Sequence, residues 1–101
     1  MIVYNVTCNL DASMADEWLQ WMQEVHIPEV MATGCFLEHK MLRLLTEAQG
    51  NEGVNFAIQY TAASLEDYHR YRDEHGPALQ QKTRERYGDR ILAYRSLLEL
   101  L

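Results

Sequence analysis

Covalent and metal-held structure has little to draw on in this chain. Its 101 residues include two cysteines, Cys8 and Cys35, with neither C-x-x-C nor zinc-ligand spacing. Both lie in strand-like surroundings and read as small apolar core residues, kept reduced in a cytoplasm. Positive charge is also scarce. Nine Lys and Arg against fifteen Asp and Glu leave a formal net charge of −6, which argues against nucleic acid or anionic membrane as a general partner. The one basic run, Lys82, Arg84, Arg86, Arg90 and Arg95 against Glu85 and Asp89, reads as a solvated helix face. No run of roughly eighteen apolar residues occurs, so no membrane span is expected. The opening Ile2-Val-Tyr-Asn-Val6 is strand-like and lacks the charged start and apolar core of a signal peptide. Two prolines and five glycines are scattered, without a linker, repeat or low-complexity segment, and one domain over residues 1–101 is expected.

What is present is apolar. Forty-eight per cent of the residues are hydrophobic, ten of them aromatic. A chain of this size buries only about two-thirds of its unfolded surface. Part of the apolar surface is therefore expected to meet a second subunit.

The richest stretch runs from Trp18 to Phe36 and holds both tryptophans. Met14, Trp18, Trp21, Met22, Val25 and Val30 recur at spacings of three and four, the period of a helix burying one wide stripe. Asp11 or Ser13 caps its start, and Asp16 and Glu17 suit the positive end of the helix dipole. Pro28 has no amide hydrogen for the carbonyl four residues back, so regular helix should end or kink near Ile27. Gly34 suits a left-handed exit toward the next strand. His26 falls beside the stripe, one residue from Val25, and reads first as a half-buried histidine whose nitrogens find backbone or water partners.

Ile2 to Leu10 alternates as a half-buried strand. Cys35 to Leu45 reads as a second strand with apolar residues on both faces, Thr46 to Gly53 as a hairpin loop, and Val54 to Thr61 as a third strand. Ser64-Leu-Glu-Asp67 opens a second helix, with Leu65, Tyr68, Tyr71 or Arg72, His75 and Leu79 as its inner stripe. Gly76-Pro77 interrupts that helix, a further segment runs from Ala78 to Tyr87, and Ile91 to Leu101 forms the last strand. The order β-α-β-β-α-β predicts a ferredoxin-like α+β sandwich: a four-stranded antiparallel sheet, order 4-1-3-2, with two helices on one face. The other face, bearing Asn5, Thr7, Asn9, Gln59 and Thr61, is expected to pack on the sheet of a second copy in a homodimer.

No pair of histidines has ligand spacing. His69 and His75 point about 120° apart on an ideal helix, and Gln23 stands where a Glu-x-x-His motif with His26 would need its carboxylate. Neither metal nor cofactor is expected. Nucleophile elbows, phosphate loops and dinucleotide fingerprints are missing too. His26 with Glu29, and His69 with Asp73, have spacings at which a carboxylate could orient an imidazole; His69–Asp73 reads as a solvated pair. Trp18, Trp21, Met22, Tyr60 and Tyr68 read first as solid core, the volume two helices on a sheet need. The competing reading is an apolar chamber lined by the same residues, with His26 and Asn5 supplying polarity and His26 as the best catalytic candidate.

Ile2-Val-Tyr-Asn-Val-Thr7, Trp18-x-x-Trp-Met22, His26-Ile-Pro28, Met31-Ala-Thr-Gly-Cys-Phe36, Gly88-Asp89 and Ala93-Tyr-Arg-Ser96 carry a resemblance over the whole chain. It resembles a small bacterial family known as a domain of unknown function within the dimeric α+β barrel superfamily. The resemblance implies two sheets closed face to face, helices outside, and often a pocket between sheet and helices. Relatives on that scaffold include antibiotic-type monooxygenases, haem-degrading enzymes and muconolactone isomerase-like proteins, among which fold does not choose. The leading expectation is a homodimer that binds a small apolar or aromatic molecule or serves as an interaction module. The alternative is a cofactor-independent monooxygenase or isomerase using His26. A third reading is haem handling through His26 or His75.

Overall fold

A computed structural model describes residues 1–46 and 52–101. Strand β1 (Ile2–Leu10) leads into a helical body: a 3-10 turn at Ala12–Met14, α1 (Ala15–Trp21), a π turn at Met22–His26 and α2 (Ile27–Ala32). Strands β2 (Glu38–Arg43) and β3 (Val54–Ala62) follow, then α3 (Leu65–Arg70), a π turn at Tyr71–His75, α4 (Gly76–Tyr87) and β4 (Leu92–Glu99). The sheet runs β2-β3-β1-β4 with every neighbour antiparallel. This is the expected ferredoxin-like α+β fold in the expected strand order.

Register decides which side chains face the helices. Tyr4 lies opposite Tyr60, Val6 opposite Ile58 and Cys8 opposite Phe56, while Arg95 and Ala93 lie opposite Val6 and Cys8 on the other side of β1. Because alternate residues share a face, these side chains form the layer beneath the helices. Trp18, 1% exposed, packs on Phe56 with ring centroids 5.3 Å apart. Tyr4, Phe36, Tyr60 and Tyr71 form a second aromatic cluster beside it. Cys8 and Cys35 are buried free thiols, and burial pushes the Cys8 thiol up to about 11.

Several boundaries differ from expectation. Cys35 and Phe36 are buried ahead of β2, which starts at Glu38 and stops at Arg43. The Leu37 amide nevertheless donates to the Thr61 carbonyl at 2.7 Å, and Leu44 to Asn55 at 2.9 Å, so the chain stays tied to β3 past both ends. Of the expected hairpin loop Thr46–Gly53, residues 47–51 lie outside the described residues.

Asp11 is the first cap: its carboxylate accepts from the Ser13 amide at 2.9 Å. Ser64 caps α3 by accepting from the Asp67 amide at 3.2 Å. Gly34 leaves α2 with φ +76°, as a left-handed exit requires.

The two prolines act differently from expectation. Neither helical body stops at its proline; each makes a π turn just before it. The Ile27 amide donates to the Met22 carbonyl and the Gly76 amide to Tyr71, each five residues back. A π turn holds one residue more than an α turn, so the buried stripe advances by one position. Val25 is turned outward to 39% exposure, while Ile27 and Val30 are buried and His26 is half-buried. In the second body Tyr71, not Arg72, faces inward, and Leu65 is exposed.

Candidate functional site

A cavity of about 440 Å³ lies between the sheet and the helices, toward β4. Trp18, Met22 and His26 form its wall on the first helical body, and Tyr71, Gln80, Thr83 and Arg84 on the second. The sheet supplies Tyr4, Val6, Cys8, Ile58 and Tyr60, while Gly88, Asp89 and Ile91 join Ala93 and Arg95 of β4 to close the remaining side. The size suits a small ligand, and the mostly apolar wall with a few convergent polar groups has the composition of a binding cleft.

Polar ties join the two helical bodies. Glu17 pairs with Arg86 and accepts from the Tyr87 hydroxyl at 2.8 Å. Lys82 meets Glu29 at 2.9 Å. Exposed pairs of this kind add little stability, but they join α1 and α2 to α4.

Electrostatics divide the wall. Burial holds the His26 imidazole below its ordinary value; Glu29 opposes the shift, while Arg95 and Lys82 reinforce it. The ring is therefore neutral at neutral pH, leaving one nitrogen free to accept a proton. Trp21 stacks on it with centroids 5.3 Å apart. Arg95 donates from Nε to the Tyr4 hydroxyl at 3.1 Å. Burial raises Tyr4 despite that cation, and raises Tyr60 and Tyr71 further, so all three stay protonated. The Tyr60 hydroxyl is fully enclosed and, among the described residues, has no hydrogen-bond partner.

Of the expected chamber residues, Trp18, Met22, His26 and Tyr60 come together on the cavity wall. Trp21 sits behind His26, its other neighbour being Tyr87 at 5.4 Å. Tyr68 packs on Tyr4, at 5.2 Å, outside the wall. Asn5 is a correction. As an odd-numbered residue of β1 it faces the far side of the sheet, where it donates to Thr7 at 3.0 Å and accepts from Gln59 at 3.3 Å. It cannot supply polarity to the cavity.

Polarity comes instead from residues read as solvated helix face. Arg84 and Arg95 both line the cavity, and Arg95 is on a strand. The signal was the alternation of β4 itself: Ala93 and Arg95 share one face, and pairing β4 beside β1 turns that face inward. His75 does not line the cavity; it lies half-buried, 4.0 Å from Glu74. Asp73 takes Arg72 as its close partner at 2.8 Å rather than His69. Among the described residues no three His, Cys, Asp or Glu side chains cluster as a metal site. No helix among them is long and apolar enough to cross a membrane.

The family model for the domain of unknown function DUF4286 matches residues 1–101. The chain belongs to that family. No curated protein matches it. Among solved structures, this DUF4286 chain is similar to an ethyl tert-butyl ether (EthD) family protein from Bacillus halodurans, at 14% identity and TM-score 0.72 with all of both chains covered. A dimeric ferredoxin-like protein from an uncultured marine organism aligns at 13% identity and TM-score 0.64, covering 99% of this chain and 94% of the other. A Deinococcus radiodurans protein described as an antibiotic biosynthesis monooxygenase aligns at 17% identity and TM-score 0.58, covering 99% and 92%. At these identities the likeness concerns the fold alone.

Proposed function

We propose that this DUF4286 chain is a homodimeric, cytoplasmic small-molecule-binding protein, residues 1–101 acting as one domain, with an apolar or aromatic ligand held between sheet and helices. The cavity carries the reading: half-buried Val6, His26, Ile91 and Ala93 leave open space along its wall, over a packed floor of Trp18, Met22, Ile58 and Tyr60, each at most 5% exposed. The homodimer is supported by the apolar side chains on the far face of the sheet, Leu42 at 43%, Leu92 at 53%, Tyr94 at 64% and Leu98 at 48% exposure. Asn5, Ser96 and Gln59 between them already bond one another, so covering them adds little unpaired polarity. The similar marine protein described as dimeric also supports it, and two unpaired buried thiols suit a reducing compartment.

A second reading is a cofactor-independent monooxygenase or isomerase. The observation that favours it is His26, neutral and half-buried on the cavity wall. There it would accept a proton from a bound substrate, with dioxygen as oxidant in the first case and return of the proton to another carbon in the second.

Native mass spectrometry of freshly purified protein tests the main reading. A dimer carrying an added small-molecule mass is expected. A clean dimer that takes up no added aromatic compound would leave an interaction module, and a monomer would overturn the sheet-to-sheet assembly. The enzyme reading requires that His26→Ala abolish turnover while the fold and ligand binding survive.

A further inference from the structure

The charges on the cavity wall run against those of the chain. The protein carries a net charge of −6, yet the permanently charged residues lining the cavity are Arg84, Arg95 and a single carboxylate, Asp89. Most basic side chains near the helices are neutralised: Arg70 by Asp67, Arg72 by Asp73, Lys82 by Glu29 and Arg86 by Glu17. Arg84 and Arg95 differ. Arg84 donates to the neutral amide of Gln81 at 3.0 and 3.3 Å, and Arg95 to the Tyr4 hydroxyl. Among the described residues neither meets a carboxylate. The Arg95 bond uses only Nε, so its two terminal nitrogens keep their donors for another acceptor.

We infer that the cavity takes a small aromatic carboxylate, its ring against Val6, Ile91 and Ala93 and its charged group directed to Arg95, with Arg84 as the second cation. The inference rests on the binding reading above and gives it a ligand class. Two arginines against one aspartate leave one net positive charge, which suits a monoanion better than a phosphate dianion. Arg95 fits the anion-binding role geometrically, because its terminal nitrogens form the planar fork that grips a carboxylate through two hydrogen bonds. The Tyr4 hydroxyl holds the guanidinium at the inner face of β4, so less side-chain freedom is lost when the anion arrives.

The test is isothermal titration calorimetry with four ligands of one shape: cinnamate, cinnamamide, cinnamyl alcohol and cinnamylamine. Cinnamate is expected to bind at least about tenfold more tightly than the amide, as a charge-assisted hydrogen bond allows. Arg95→Met should close most of that gap by weakening cinnamate far more than the amide, with an unchanged circular dichroism spectrum and melting curve showing that the variant folds; Arg84→Met should narrow it less. Equal affinity for acid and amide, tightest binding of the amine, or a gap that survives both arginine variants would overturn the carboxylate inference and leave the pocket standing. Failure of all four ligands to bind, or binding that persists in Ala93→Trp, which fills the cavity, would overturn the pocket with it.

Discussion

At the residue scale, Tyr60 sets packing against polarity. Its ring is part of the aromatic core and 2% exposed, but its hydroxyl has no partner among the described residues. A buried hydroxyl without a hydrogen bond costs about 1–3 kcal/mol, so Tyr60→Phe should stabilise the protein. The expected gain is on the order of 1 kcal/mol, seen as a melting temperature several degrees higher; a lower melting temperature would show that the hydroxyl is satisfied. Trp18→Ala should act the other way, losing about 3–5 kcal/mol, since the indole fills the space over Phe56. His26 gives a pH signature. Its folded-state value lies below its ordinary one, so only well above about pH 6.5, the ordinary value, is the ring neutral in both states and without a slope. As pH falls, the unfolded chain takes up the proton first, and stability declines until the folded-state value is passed. Denaturant midpoints measured from about pH 7.5 to about pH 4.5 should therefore fall less for His26→Gln than for the parent. Parallel curves would refute the shift.

At the element scale, the two π turns control what each helix presents. Both precede a proline, and both spare the ring from a conflict with the preceding carbonyls by widening one turn. The consequence for the first helical body is a phase change of about 100°, one residue's rotation, which moves Val25 out and His26 onto the cavity wall. Pro28→Ala restores an amide donor and removes the reason for the wide turn. In that variant the His26 titration, followed by NMR, should move toward the ordinary imidazole value, as the ring rotates back to solvent. An unchanged titration would mean that packing of Ile27 and Val30, rather than the proline, holds the π turn. Periodicity located both helices and their caps, but a proline in a sequence does not say whether the chain will stop, kink or insert a residue. Packing beyond it decides that.

At the scale of the whole molecule, the far face of the sheet has apolar rims on β2 and β4 and a hydrogen-bonded polar centre. In a face-to-face dimer the rims exclude water while the central side chains satisfy one another. Replacing Leu98 and Leu42 together by Glu should convert the proposed dimer to a folded monomer at micromolar concentration, measured by light scattering after size exclusion. The helix-side cavity lies on the opposite face, so cinnamate binding by that monomer should be retained if the sheet face serves only for assembly. A double variant that remains dimeric would place the interface elsewhere.

The element order, the antiparallel 4-1-3-2 sheet, the cap at Ser64, a first cap at Asp11 or Ser13 and the burial of both cysteines were determined by the sequence alone. They follow from local periods of two and 3.6, from caps that act within a few residues, and from connection rules that leave few topologies. The placement of Trp18, Met22, His26 and Tyr60 around one space was partly legible for the same reason. Asn5 was assigned to the chamber against the alternation of its own strand, which already put it on the far face, and Arg95 was overlooked because which face of β4 meets the helices depends on pairing with a strand as many as 91 positions away. Only the tertiary structure, by stacking β4 against β1 and rotating His26 through a π turn, decided which polar groups meet the cavity.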